Sequence, residues 1–547
     1  MLDEAQLNRI KDPYAKEVVK TMSNLCEQLM TEVDALKIEV QKLRDENNRL
    51  KGEQGKPNVK PNKPAQTNTN HSTEKQRQEP KTWKKDTKND KITVHQTRVI
   101  NLDKSTLPED AIFKGYEEYT VQNLRLVLEN ICFRRAKYYS PSQNKTYLAP
   151  LPPGFQGGFA PELKAFAIGL HHLGNVSQPA MYKLFTHAGL SISTGQISHI
   201  LTNECERFHQ EKKEITLAGL KSTTWQQTDD TKTRVNGVNN HCHVLGNPFY
   251  SSYTTLPRKD RLSVLDVLKN GAKRTFLLTS ELLSSVFVSS LPKKWQKKLA
   301  TFPQDVIYEE DTLQNWLDKE MPTLGSQQKR QLLEQMALTA YYAQTEVPVV
   351  SLLLCDDAPQ FPGITDELAL CWVHDARHYK KLSPHLPVFQ KCLEQFQKKY
   401  WKYYKRLSSY RLSPTAAKKK RLWSFFDKTF VADTGYDALD ARIRQTIGNK
   451  EKLLMVLSHP EIPLHNNASE LAVRLRVRKG DVSFGVRSDL GMTAWDTFET
   501  IFSTSQKLGV SFLSYLQDRI CEKNEMPSLA SLITERSQIL KLGGSWT

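Results

Sequence analysis

Two aspartate pairs and one glutamate set the chemistry this chain can attempt. Asp229-Asp230 closes the run Thr223-Thr224-Trp225-Gln226-Gln227-Thr228. Thr and Trp favour strands, so the run reads as a β-strand that ends on acid. The apolar run from Val347 to Cys355 ends in the same way, on Asp356-Asp357. Further on, Leu464-His465-Asn466-Asn467-Ala468-Ser469-Glu470 opens a basic helix with an acid inside its first turns. A carboxylate at a strand end can hold a divalent cation while the sheet fixes its position. Two strand aspartates and a helix glutamate outline a two-metal site for phosphoryl transfer. Neighbouring strand residues point to opposite faces, so one member of each Asp pair reaches a shared cluster. Spacing alone leaves open which one.

Other metal-ligand types are less organised. In His241-Cys242-His243 the two histidines share one strand face and the thiol points away, with no second ligand pair nearby. Cys371-Trp372-Val373-His374 is half of a zinc site without a matching half, and reads as a packed helix start.

The elements that must position these residues follow from pattern. Over residues 1–50, Val19, Cys26, Val33, Val40 and Asn47 repeat against Met22, Leu29, Leu36, Leu43 and Leu50. That heptad, with one polar Asn at a core position, predicts a parallel two-stranded coil. Residues 51–90 lose their hydrophobics to Pro, Asn, Gln, Thr and Lys and read as a disordered basic linker. Residues 91–215 are expected to be a helical DNA-binding region. Within it, about 177–202 reads as helix, Gly turn and second helix, the parts of a helix-turn-helix. Gln196, Ser198 and His199 are its candidate base-reading side chains. A core follows over 216–380, with a helical insertion at about 272–346. Residues 381–460 form a helical, basic and aromatic insertion whose stripe Phe389, Leu393, Phe396, Tyr400, Tyr403 and Leu407 should be core. Residues 461–547 complete the core, and their helix adds Arg474, Arg476, Arg478 and Lys479 as DNA-binding candidates.

Composition agrees with a polyanion partner. The chain has 547 residues, a net charge of +17 and a pI near 9.3. Eight cysteines without a C-x-x-C pair argue against a disulfide scaffold. No apolar run nears the roughly 20 residues of a membrane span, and the N-terminus does not read as a signal peptide. The expectation is a soluble cytoplasmic protein with no membrane partner.

These motifs resemble the insertion-sequence-66 family of bacterial DDE transposases. Asp229-Asp230-Thr231 resembles the family's Asp-Glu-Thr, with Asp230 in place of Glu. Cys355-Asp356-Asp357-Ala358-Pro359-Gln360-Phe361 takes the place of the second acid. Cys371-Trp372-Val373-His374 with Arg377 resembles Cys-Trp-x-His-x-x-Arg. Asn466-Asn467-Ala468-Ser469-Glu470, with Arg474, Arg478-Lys479, Phe484, Ser488 and Gly491, resembles the Asn-Asn-x-x-Glu block and its tail. The similarity runs from about Pro161 to Asp518. It implies an α/β ribonuclease-H-like catalytic core with helical insertions. It further implies catalytic, metal-binding Asp229, Asp356 and Glu470, supported by Cys371, His374, Arg377, Asn466 and Asn467. Two Mg²⁺ ions, replaceable by Mn²⁺, would serve cleavage and strand transfer. Partners would be double-stranded transposon-end and target DNA and further copies of the chain, as a homodimer or higher oligomer at the bacterial nucleoid. Members often carry a Cys-rich zinc ribbon before the core; here that region holds only Cys132, so none is expected. Rival readings are a catalytically inactive transposase-derived DNA-binding protein and a metal-dependent nuclease or resolvase of the same fold.

Overall fold

A computed structural model describes residues 9–51, 93–103, 112–124, 126–155, 157–203 and 205–539. Beyond Lys51, the basic linker expected to Asp90 lies outside the described residues. Among the described residues no helix is long and apolar enough to cross a membrane.

Helix α1 (Pro13–Leu50) carries the heptad, and its seam residues Met22, Leu29, Val33, Leu36, Val40 and Leu43 are exposed. A different face is docked, where Ser23 and Glu27 are buried. The Glu27 carboxylate accepts from the backbone N–H groups of His385 (2.6 Å) and Leu386 (3.0 Å). Asn24 donates to the Gly435 carbonyl (3.2 Å) and accepts from the Asp437 N–H (3.0 Å). The His385 ring bridges Glu27 and Asp34.

The helical region expected over 91–215 begins later than the pattern suggests. Described residues from 93 to 136 form no helix or strand, and 137–148 make a hairpin of Lys137–Ser140 on Lys145–Leu148. Val121, Leu124, Leu128 and Ile131 step at helical spacing but stay exposed. A short helix needs a surface to pack on, and they find none. Helices begin at Pro161–His172, followed by α2 (Gln178–His187) and α3 (Thr194–Thr202). Gly189, at φ +89°, makes the turn between α2 and α3, and the Ser193 hydroxyl caps α3 by accepting from the Gln196 N–H. The expected boundary at 215/216 does not separate two cores. Ala165, Ile168, Phe185, Ile200 and Ile215 share one apolar cluster with Phe498, Ile501, Tyr515 and Ile533.

The central mixed sheet has five strands: β1 (Trp225–Val235), β2 (Val238–Gly246), β3 (Ser251–Leu256), β4 (Leu352–Cys355) and β5 (Glu367–Leu370). Their order is β3-β2-β1-β4-β5; β1–β3 are antiparallel neighbours, and β4 and β5 run parallel to β1. The first strand does not end on its acid pair. It runs on to Val235 and turns through Asn236-Gly237, both at positive φ. A two-residue Asn-Gly turn matches the twist of a hairpin, so it sets the strand end. The expected insertion between β3 and β4 is mainly helical but includes a small two-stranded antiparallel sheet of Thr275–Leu277 with Ile307–Glu309.

After β5 come α4 (Trp372–Lys381) and α5 (Pro387–Leu412). All six stripe residues expected on α5 are buried, and so is Tyr404, which the pattern left at the edge. Trp372 is enclosed by Tyr400, Tyr403, Phe426 and Phe430, and its indole N–H donates to the Leu453 carbonyl at 2.8 Å. Helix α6 (Asn467–Ser483) lies on β1 and β2, and α7 (Asp489–Lys507) backs β3. After α6 the chain returns to the sheet, where the Val486 N–H donates to the Arg234 carbonyl at 3.0 Å. Gly485 permits that approach: a Cβ there would stand 2.7 Å from the same carbonyl oxygen.

Candidate active site

The parallel pairing of β1 with β4 runs Trp225 to Leu352, Gln226 to Leu353 and Gln227 to Leu354. Each pair differs by 127 positions (352 − 225), the same offset that separates Asp229 from Asp356. Continued two rungs past the paired residues, that register would bring the two aspartates together just beyond the end of β4. Side-chain alternation turns Asp230 toward Lys259, although its charge still acts on Asp229 and Asp356. Its carboxylate pairs with Lys259 at 2.7 Å and accepts from the Gln360 amide at 3.0 Å. Asp357 is likewise engaged, with the His378 ring at 3.2 Å. One member of each acid pair thus has a basic partner, Lys259 for Asp230 and His378 for Asp357.

Glu470 comes in from α6 and is 8 % exposed. Asn466 fixes the start of that helix: its side-chain amide donates to the Thr228 carbonyl at 2.6 Å, and its backbone N–H donates to Cys371 Sγ at 3.2 Å. The same residue accepts the Glu470 N–H on its carbonyl at 3.0 Å. Arg377 donates to Glu470 Oε2 at 2.5 Å, and His374 Nε2 stands 3.6 Å from Oε1. The i,i+4 ion pair that spacing suggests between Glu470 and Arg474 gives way to Arg377.

Electrostatics mark the three acids as neighbours. Burial raises Asp229 to about 7, and the nearby charges of Asp356, Asp230 and Glu470 push the same way. Asp356 is raised by burial, against the pull of His374 and Lys259. Asp357 goes the other way, held at about 2 by the hydrogen bond to His378. Burial lowers His374, opposed by Glu470. A carboxylate that burial, with other acids nearby, pushes toward the neutral form is stabilised by a bound cation. His374 Nδ1, Asn466 Oδ1 and Ser469 Oγ are buried without a hydrogen-bond partner. Converging acids and unsatisfied polar atoms fit a divalent-metal centre.

Beside it, Asp356, Asp357, Gln445, Asn449 and Lys452 line a cavity of about 380 Å³. Asn467, one of the expected supports, opens α6 with its N–H 3.4 Å from His465 Nδ1. Lys259, Gln360 and His378 were not singled out from sequence. His378 had a signal, since it follows His374 by one helical turn. Lys259 and Gln360 lie in loops with no periodicity to expose them.

The basic candidates on α6 divide. Arg474 and Arg478 are exposed. Arg476 and Lys479 are not available to DNA: they are 1 % and 2 % exposed. Arg476 is ion-paired with Asp496 and with Glu499, and Lys479 donates to the His171 carbonyl at 2.8 Å. The helix turns 474 and 478 outward and 476 and 479 toward α7, a distinction that a basic run conceals. Gln196 and His199, with Lys164, Arg207 and Gly158, line a cavity of about 440 Å³ at α3, and Ser198 is half-buried.

The chain is 28 % identical over 325 residues to a protein of Sinorhizobium fredii named uncharacterized protein y4jO, covering 58 % of this chain and 99 % of that one. No solved structure matches the chain. Residues 349–494 match the family described as Transposase IS66, which implies transposase function, DNA as a partner and, in general, a divalent metal. The matched stretch holds Asp356, Cys371, His374, Arg377, Asn466 and Glu470, and through it the chain is similar to the IS66 transposases.

Proposed function

We propose that the chain is a DDE transposase that cuts at transposon ends and joins them to target DNA from a ribonuclease-H-like core. The observation that supports the reading is the β1–β4 register, whose 127-residue offset also separates Asp229 from Asp356, with the Asp356 and Glu470 charges both acting on Asp229. The sheet order, with three antiparallel strands followed by two parallel ones, supports the fold assignment. Asp229, Asp356 and Glu470 would hold two Mg²⁺ ions, which when bound activate the attacking oxygen and offset charge on the phosphate.

The chain's own residues supply the rest. Lys259 and His378 keep Asp230 and Asp357 out of the site. Asn466 and Arg377 hold Glu470 in place. Exposed Arg474 and Arg478 offer charge to the phosphate backbone. Helix α3 offers Gln196 to a base edge, with the geometry to pair with adenine. The exposed seam of α1 pairs two copies, so that two ends are handled together.

The test incubates purified full-length protein with end DNA and Mg²⁺, then maps 3′ ends and joined products. Asp229→Asn, Asp356→Asn and Glu470→Gln should each lower cleavage by more than about 100-fold, with end binding nearly intact. Asp230→Asn and Asp357→Asn should cost less. A dead Asp230→Asn beside an active Asp229→Asn would sink the assignment. Cleaved ends without joined products would favour the nuclease reading.

A further inference from the structure

The Cys-x-x-His at 371–374 lacks a second half in sequence, and the fold supplies one. Cys371 is the N-cap residue of α4 and His374 lies in its first turn. Glu470 arrives from α6, 96 residues further on (470 − 374). One donor atom from each of the three lies within 4.8 Å of the others. All three are sheltered, and the His374 Nδ1 is buried and unpartnered. Glu470 is already divided between two tasks: Oε2 accepts from Arg377, while Oε1 faces His374. A cation on the Oε1 side would leave the Arg377 pair intact.

The donor types decide which cation. A thiolate and an imidazole suit Zn²⁺, Co²⁺ and their neighbours, whereas Mg²⁺ takes oxygen. Bonds of roughly 2.0–2.3 Å require the donors to close by only about 1 Å. Three protein ligands with a fourth position open is the pattern of a reactive site, not a closed structural one.

We propose that Cys371, His374 and Glu470 form a zinc-class metal site next to the oxygen-only pair Asp229 and Asp356. That ion would sit beside the two hard ions of the proposed centre and share only Glu470 with them. The inference rests on the proposed active site through Glu470 alone.

The test uses metal-free, full-length protein titrated with Co²⁺. A thiolate-to-cobalt charge-transfer band in the near ultraviolet is expected at one ion per chain, removable by Zn²⁺. Cys371→Ser should abolish the band and Cys355→Ser should keep it. His374→Gln should weaken cobalt binding by more than about tenfold. Asp229→Asn should retain the band while losing cleavage, which separates this site from the transposase reading. Wild-type protein without the band, or a band that survives in folded Cys371→Ser, overturns the proposal. If Cys371→Ser fails to fold by circular dichroism, unchanged cobalt affinity in His374→Gln overturns it equally.

Discussion

Asp229 is the residue whose ionisation matters most to the metal-free protein. Burial raises its pKa to about 7, above the ordinary aspartate value of 3.8. The native state therefore holds this proton more tightly than the unfolded chain does. Its contribution is fully present below about pH 4 and is lost as pH rises through 7. Asp229→Asn removes the titration, so at pH 8 without metal it should melt about 2–4 °C above wild type. The difference should vanish by pH 4–5, and divalent cations should reverse it by stabilising only the wild type. Equal melting at pH 8 in chelator would show that the carboxylate is not held where the fold places it. The three acids themselves were legible because their types and strand contexts are local. Spacing left the choice within each pair open and the resemblance favoured Asp229 and Asp356; Lys259 and His378 reach Asp230 and Asp357 across the fold, a pairing no local pattern shows.

The element that turns these residues into a site is α6. Asn466 is fully buried and ties the start of this helix to β1 beside Asp229. Asn466→Ala strands the Thr228 carbonyl and loosens the helix start. It should lower the unfolding free energy by about 1–3 kcal/mol in denaturant titration, and lower cleavage more than DNA binding. An unchanged midpoint would mean that Glu470 is positioned by Arg377 alone. Elements with strong local pattern were readable: the stripe of α5 is buried as its spacing requires. The end of β1 has a local signal in Asn236-Gly237, which lies beyond the acid pair. What pattern could not reach was the inward turn of Arg476 and Lys479. Their partners Asp496, Glu499 and His171 come from α7 and from the helix ending at His172.

At the scale of the whole molecule, α1 shows apolar residues on one face and is anchored by another. Pairing through the exposed seam predicts a dimer of full-length protein in sedimentation equilibrium. Leu29→Asp with Leu36→Asp puts four charges into a paired seam without touching Glu27 or Asn24, and should yield monomers at micromolar concentration. A double variant that still sediments as a dimer would place the contact elsewhere. The heptad was plain in sequence, whereas the docking was not, because Glu27 meets residues more than 350 positions away.

The anchoring face has a geometric consequence for the paired molecule. With Val19, Met22, Cys26 and Leu29 at the seam, Asn24, Glu27 and Asp34 fall on the outward side of the coil. Each catalytic body must then hang from the outside of its own helix. In a proposed pair the two bodies would stand on opposite flanks of a shared post about two helix diameters, roughly 20 Å, across. In a pair formed through that seam, the thickness of the coil and its cargo would then set the spacing between two cuts.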